Sequence, residues 1–275
     1  MTPETGVVDV PTVLTIAGSD PSGGAGVQAD LQVIASLGAH GAAAVTALTV
    51  QDTERVHGVW PCPAEWVRQQ VAAVLDDLRA GAAKVGMLGN AEVVSAVADA
   101  LAGHSGMPIV VDPVRRAGSG SELLSEAGLI ALRKELLPLA ALATPNLAEA
   151  EMLSGRQVRT VEEMREAATA IALLGPKAVL VKGGHLPGEP VDVLFADGQV
   201  VELEGDRVPA PRRVHGTGCA LSTAAAVFLA EGDDMVKAVT KAREYVAAGL
   251  RHARVVGRGA LVLDFGEAAR AVRGG

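Results

Sequence analysis

The run His215-Gly216-Thr217-Gly218-Cys219, continued by the small-residue stretch Ala220 to Ala230, is where this chain is best equipped for chemistry. Its two glycines let the backbone bend where a side chain would clash. The residues after them predict a helix, and a helix start presents unpaired N–H groups and the positive end of a dipole. Such a start holds anions, phosphoryl groups included. Cys219 falls at that positive end, where a thiol is expected to ionise more readily than its free pKa of about 8.5 implies. One segment thus offers both a seat for a phosphoryl group and a base beside it.

Other candidates each have a plain structural reading as well. Lys182, before Gly183-Gly184, is a surface lysine or a point charge reaching for a phosphate. Asn146 and Glu149 are a helix cap and a first-turn acid, or oxygen ligands for Mg2+. Asp112 before Pro113 ends a strand or faces the same ion. Gln51 both donates and accepts, which suits the edge of a heterocycle. Gly24-Ala25-Gly26-Val27-Gln28-Ala29 fits G-x-G-x-x-A, but the acid expected about 20 residues on is missing before Asp52, so a tight turn or a substrate loop outranks a dinucleotide site. The chain has no G-x-x-x-x-G-K-[ST], no G-x-S-x-G and no zinc spacing among its six histidines.

These residues must be positioned by an alternation of strands and helices. Strands are predicted at Val13–Ala17, Ala42–Val50, Ala83–Met87, Pro108–Val111, Leu142–Thr144 and Ala178–Val181, with a hairpin from Val191–Phe195 to Gln199–Leu203 across Asp197-Gly198. Helices are predicted at Val27–Leu37, Pro63–Ala80, Ala91–Leu101, Ser125–Leu136, Leu147–Leu153, Val161–Leu174, Cys219–Glu231 and Met235 to about Val255, the last two closing the chain. The pattern is α/β with a mostly parallel central sheet flanked by helices on both faces, and ligands in such sheets sit beyond the carboxyl ends of the strands. Those ends carry Gly18-Ser19-Asp20, Gln51-Asp52, Asp112, Asn146 and Lys182.

Aromatic residues make up only 2 % of the 275, so the core is left to Ala, Val and Leu, which suits parallel strands covered on both faces. A net charge of −8 without a basic block argues against nucleic acid as a partner. Cys62 and Cys219 show neither disulfide nor metal spacing, residues 1–11 carry no basic-then-apolar leader, and no apolar run reaches the ~20 residues of a membrane span. The expectation is a cytoplasmic protein with an N-terminal tail over 1–11 and a single domain over 12–275.

Taken together, the segments resemble the hydroxymethylpyrimidine/phosphomethylpyrimidine kinases of thiamine biosynthesis, in the ribokinase-like superfamily. The resemblance runs from about Val13 to about Val255. Its carriers are Thr15 to Gly26 with Gln28-Ala29-Asp30, Val45-Thr46-Ala47 with Gln51, Lys84-Val85-Gly86-Met87-Leu88, Val110 to Val114, Thr144-Pro145-Asn146 with Glu149, Lys182-Gly183-Gly184-His185 and the His215–Cys219 run. It implies a ribokinase-like fold, usually dimeric, that uses ATP and Mg2+ to phosphorylate an aminopyrimidine hydroxymethyl group and then the resulting phosphate. By similarity Gly18, Asp30, Gln51 and Val114 hold the pyrimidine. Asn146, Glu149, Lys182 and Thr217 serve ATP, with Asp112 and Glu149 toward the metal. Gly216, Gly218 and the Cys219 N–H form the anion hole, Cys219 is the base and Lys182 assists transfer.

Four departures stand out: Arg115-Arg116 where apolar residues are usual, Asp52 in place of asparagine, a short approach Ala210 to His215, and Gly257-Arg258-Gly259-Ala260 in place of Gly-His-Gly-Pro. They bear on substrate choice and on the second phosphorylation. The rival readings are a pyridoxal or pyridoxine kinase of the same superfamily, a sugar kinase (disfavoured by cysteine at 219), and a catalytically silent ligand-binding protein.

Overall fold

The computed structural model describes residues 10–118 and 120–274, so most of the expected tail, Ser119 and Gly275 lie outside the described residues. Six parallel strands form the centre of one sheet: β1 (Thr12–Ala17), β2 (His40–Val45), and, numbering two flap strands β3 (Ala47–Gln51) and β4 (Val56–Pro61) in between, β5 (Ala82–Val85), β6 (Ile109–Val111), β7 (Leu142–Ala143) and β8 (Ala178–Val181). The hairpin β9 (Val191–Ala196) and β10 (Gln199–Glu204) adds two antiparallel strands, giving the order β10-β9-β8-β7-β6-β5-β1-β2.

Alternation along these strands divides the core between two faces. Leu14, Ile16, Ala83, Val85, Ile109 and Val111 face one layer, whereas Val13, Ala82, Val110, Leu142 and Leu180 face the other. The first layer holds α2 (Ala64–Asp77), α3 (Ala91–Ala102), α4 (Glu126–Ala131), α5 (Leu147–Ser154) and α6 (Val161–Ala172); the second holds α1 (Gly26–Ser36), α7 (Thr217–Ala230), α8 (Met235–Arg251) and α9 (Phe265–Arg273). With both faces covered, β5 and β8 are buried at every position, which is why they read as short apolar runs.

Several predicted elements differ. The run Ala42–Val50 is two strands, not one. Gln70 accepts from Val45 N at 2.9 Å and donates to Val45 O at 3.1 Å, and the chain then leaves the sheet to pair β3 with β4. Pro63 caps α2 from outside, in an extended conformation. The helix foreseen over Ser125–Leu136 keeps α geometry only to Ala131. It then widens into a π turn over Leu132–Leu136 and tightens to a 3-10 turn containing Pro138, which has no N–H to continue the ladder. Helix α8 stops at Arg251 because Arg254 pairs with Val262 of β12 (Leu261–Val262), the parallel partner of β11 (Val214–His215). A further helix, α9, follows the two that were expected to end the chain. Asp264 caps it by accepting from Gly266 N and Glu267 N.

Candidate active site

Strands β6, β7 and β8 end on Asp112, Asn146 and Lys182, and their parallel register sets these residues side by side. Lys182 Nζ donates to Asp112 Oδ1 at 2.9 Å, and Lys182 N to the Pro145 carbonyl at 2.9 Å. Asn146 accepts from Glu149 N at 2.9 Å while Glu149 accepts from Asn146 N at 2.8 Å, a reciprocal cap on α5. Glu149 is buried. Its carboxyl is pushed up to about 7, first by burial and further by the Asp112 charge, against the pull of Lys182. Burial would lower the Lys182 pKa, but Asp112 and Glu149 more than offset it and hold it above the ordinary lysine value.

Helix α7 brings its start to the same place. Gly216 caps it at φ 76°, a left-handed conformation, and a Cβ there would lie 1.8 Å from the Gly24 carbonyl oxygen. Thr217 opens the helix and Gly218 follows; a Cβ on Gly218 would lie 3.1 Å from Lys182 Nζ, so the ammonium rests on the first turn. Two hydroxyls brace that turn from inside. Ser222 donates to the Gly218 carbonyl at 2.9 Å and contacts Thr144 Oγ1 at 2.8 Å, which in turn lies 3.4 Å from Asp112.

The Cys219 thiol departs from expectation. Burial pushes it up to about 12 rather than down, against the pull of Lys84 and Lys182, and the Asp112 and Asp30 carboxylates push the same way. The helix end alone does not decide, because losing water disfavours the thiolate and two buried carboxylates add repulsion.

Asp30 also differs from its expected place. It is wholly buried and presents no oxygen to the cleft: Oδ2 accepts from Thr15 at 2.6 Å and Lys84 at 2.8 Å, and Oδ1 from Thr223 at 2.7 Å and Lys84 at 3.1 Å. It stands behind the site, not on its surface. The other residues assigned to the heterocycle lie at strand ends. Gly18 follows β1, where a Cβ would meet Met87 Sδ at 2.8 Å, and Val114 closes a tight turn on the Asp112 carbonyl at 2.7 Å. Gln51 ends β3 with its amide 3.0 Å from His215 Nε2, which is also 3.2 Å from Asp20 Oδ2. Asp20 organises the 18–26 loop by accepting from Ser22 N, Ser22 Oγ and Ala25 N. A pocket lined by Pro21, Ser22, Gln51, Asp52, Val256 and Arg258 opens at the flap tip.

Two of the departures now have physical roles. Arg115 turns away toward Glu126 (3.2 Å) and Met152 Sδ (2.7 Å). Asp52 holds the β3–β4 turn by accepting from Glu54 N, Arg55 N and His57, contacts that keep its carboxyl well below the usual range. Lys84, Thr223, Thr144 and Ser222 carry parts of the site that the sequence reading gave no role. A lysine in the otherwise apolar run Ala82–Val85 was the one available signal, since a charge enters an all-buried strand only with a partner.

The arrangement suits phosphoryl transfer: N–H donors at a helix start, a lysine over them, and two carboxylates beside it, Asp112 at the end of β6 and Glu149 in the first turn of α5. Among the described residues no helix is long and apolar enough to cross a membrane. A hydroxymethylpyrimidine/phosphomethylpyrimidine kinase of Streptomyces coelicolor is 44 % identical over 266 residues, covering 97 % of this chain and 98 % of that one. The crystal structure of a phosphomethylpyrimidine kinase from Clostridium difficile is 37 % identical with a TM-score of 0.77, over 86 % of this chain and 98 % of the other. A Staphylococcus aureus pyridoxal kinase, solved with AMP-PCP and pyridoxal, is 32 % identical with a TM-score of 0.86, over 94 % and 95 %. The family described as phosphomethylpyrimidine kinase matches residues 20–264, and with these likenesses and this constellation the chain belongs to that family.

Proposed function

We propose that this enzyme transfers the ATP γ-phosphoryl group to the hydroxymethyl group of 4-amino-5-hydroxymethyl-2-methylpyrimidine and then to the resulting monophosphate. The observation that carries the reading is the contact of Lys182 with both Asp112 and the first turn of α7, which gathers anion donors, cation and carboxylates at one point. Gly18, Gln51 and Val114 face the heterocycle, with Gln51 oriented by His215. Asn146, Thr217 and Lys182 serve the nucleotide phosphates. The N–H groups of Gly218 and Cys219 meet the charge that develops on the transferred group, where preorganised donors count most. The Cys219 sulfur lies at that turn and takes the hydroxyl proton.

Asp112 and Glu149 supply hard oxygens, and a cation would favour the charged form of the Glu149 carboxyl, which is raised chiefly by burial. Among the described residues no third His, Cys, Asp or Glu joins them, which suits Mg2+, an ion that draws its remaining ligands from phosphates and water. When bound there, Mg2+ would supply positive charge that neutralises phosphate oxygens and offsets the Asp112 charge, which adds to burial in raising the thiol.

The test is ADP release on hydroxymethylpyrimidine, its monophosphate and pyridoxal side by side. Turnover of both pyrimidines above pyridoxal is expected. Preference for pyridoxal would replace this reading with the one suggested by the Staphylococcus aureus likeness, and no ADP from any of the three would leave a binding protein.

We also infer a homodimer through the β3–β4 flap. Leu48 and Trp60 are cross-strand partners and both are more than half exposed, with Val50 67 % exposed on the same face as Leu48. Exposed apolar side chains gathered in this way mark association surfaces. Light scattering should give twice the chain mass, falling to one chain for Leu48→Asp/Trp60→Glu; a wild-type monomer at micromolar concentration would refute the inference.

A further inference from the structure

The lower side of the anion hole holds a polar cluster that the proposed chemistry does not use. Lys84, Asp30, Thr15 and Thr223 all show 0 % exposure. They come from four elements, β5, α1, β1 and α7, so the cluster ties both sheet and neighbouring helix to the helix that bears the hole. Its link to the hole is one hydroxyl. Thr223 Oγ1 lies 2.7 Å from Asp30 Oδ1 and 2.8 Å from the Cys219 carbonyl oxygen, so its single proton is shared between a buried carboxylate and the first turn. A hydroxyl that bonds back to the residue four earlier ordinarily loosens a helix turn. Here the same proton also faces a carboxylate, a stronger acceptor, which fixes the hydroxyl between core and turn. Lys84 in turn fixes that carboxylate with two contacts, and the gap left by Gly86 is where its ammonium sits: a Cβ on Gly86 would lie 3.0 Å from Lys84 Nζ.

Resting on the kinase reading above, we propose that Thr223, anchored by the buried Asp30–Lys84 pair, is a positioning residue for phosphoryl transfer: it sets the first turn of α7 and so the aim of the Gly218 and Cys219 N–H groups. Ser222 braces the same turn from the Asp112 side through Thr144, so the hole is held between two carboxylates. None of Thr223, Asp30 and Lys84 is placed against substrate. Their effect belongs to the transition state, because donors that are slightly mis-aimed still bind a ground-state phosphate but no longer meet the developing charge.

The test is steady-state kinetics of Thr223→Val and Thr223→Ser. Valine keeps the shape and loses the hydroxyl; serine keeps the hydroxyl and loses a methyl. Thr223→Val should lower kcat by about tenfold or more, in line with the loss of one hydrogen bond to a charged group and a small misplacement of catalytic donors. KM for ATP and for the pyrimidine should stay within threefold, and Thr223→Ser should remain within threefold of wild type in kcat. Packing alone predicts the reverse order, with serine the worse of the two. The charge-neutral pair Lys84→Met/Asp30→Leu, which leaves Thr223 no acceptor at position 30, should show the same kcat loss, and adding Thr223→Val to it should cost little more, since both changes break one linkage. If that pair does not fold, the two Thr223 variants decide alone. A Thr223→Val kcat within twofold of wild type, or a Thr223→Ser kcat as low as that of valine, would overturn the proposal. A wild-type protein that phosphorylates neither heterocycle would instead remove the kinase reading.

Discussion

Replacing Cys219 with alanine is expected to lower kcat by 10²-fold or more while KM for ATP and for the pyrimidine changes by no more than a few fold. Alanine retains the backbone N–H, so the anion hole is preserved and only the sulfur is lost. The loss expected for a missing general base is about 10²–10⁴-fold. The thiol is not poised for this in the free protein, where burial and the Asp112 and Asp30 charges push it up to about 12. Neutralising the Asp112 charge, as the proposed cation would, makes its proton easier to remove, so the sulfur is expected to act in the loaded enzyme. ADP-release kinetics at saturating substrates check this. A Cys219→Ala enzyme within threefold of wild type would assign the rate enhancement to the N–H donors and Lys182 and take the sulfur out of the reaction.

The second large effect is on stability. Lys84→Met should cost about 3–5 kcal/mol, the range for removing one partner of a buried ion pair. The penalty arises because the Asp30 carboxyl loses its cation, has no exposure to water, and is left with only Thr15 and Thr223 as donors. Against a total stability of about 5–15 kcal/mol this is a large fraction. For a chain of this size it lowers the melting temperature on the order of 10 °C. Pairing holds the Lys84 pKa above its ordinary 10.5, despite burial, which acts to lower it. A raised lysine pKa stabilises fully below the unfolded value and is lost only as pH rises through the folded one. Melts at neutral pH, far below the folded Lys84 value, should therefore show this loss. Lys84→Met/Asp30→Asn should recover much of it, since the stranded charge is gone. A single variant melting within about 2 °C of wild type would show that water or another group reaches Asp30.

Much of the fold was legible in the sequence because parallel, doubly covered strands must be short and apolar, and because caps announce helices. Val13–Ala17, Ala91–Leu101 and the hairpin across Asp197-Gly198 needed only local patterns, and the structure places them within a residue or two. The last helix carries such a signal too, with Asp264 three residues before Glu267. The break inside Ala42–Val50 had none, since the side chain that ends β2 is Gln70, 25 residues away.

The same division holds at the site. Sequence alone determined which residues end the strands and start α7, because punctuation by glycine, proline, asparagine and aspartate is local. Only the tertiary structure decided which of them face outward and what charge they carry. Asp30 turned inward to Lys84, and burial, helped by the charges of Asp112 at the end of β6 and Asp30 on α1, raised the Cys219 pKa against the pull of Lys84 on β5. Electrostatic energy depends on distance through space and on exclusion of water, and neither is written in the order of residues along the chain.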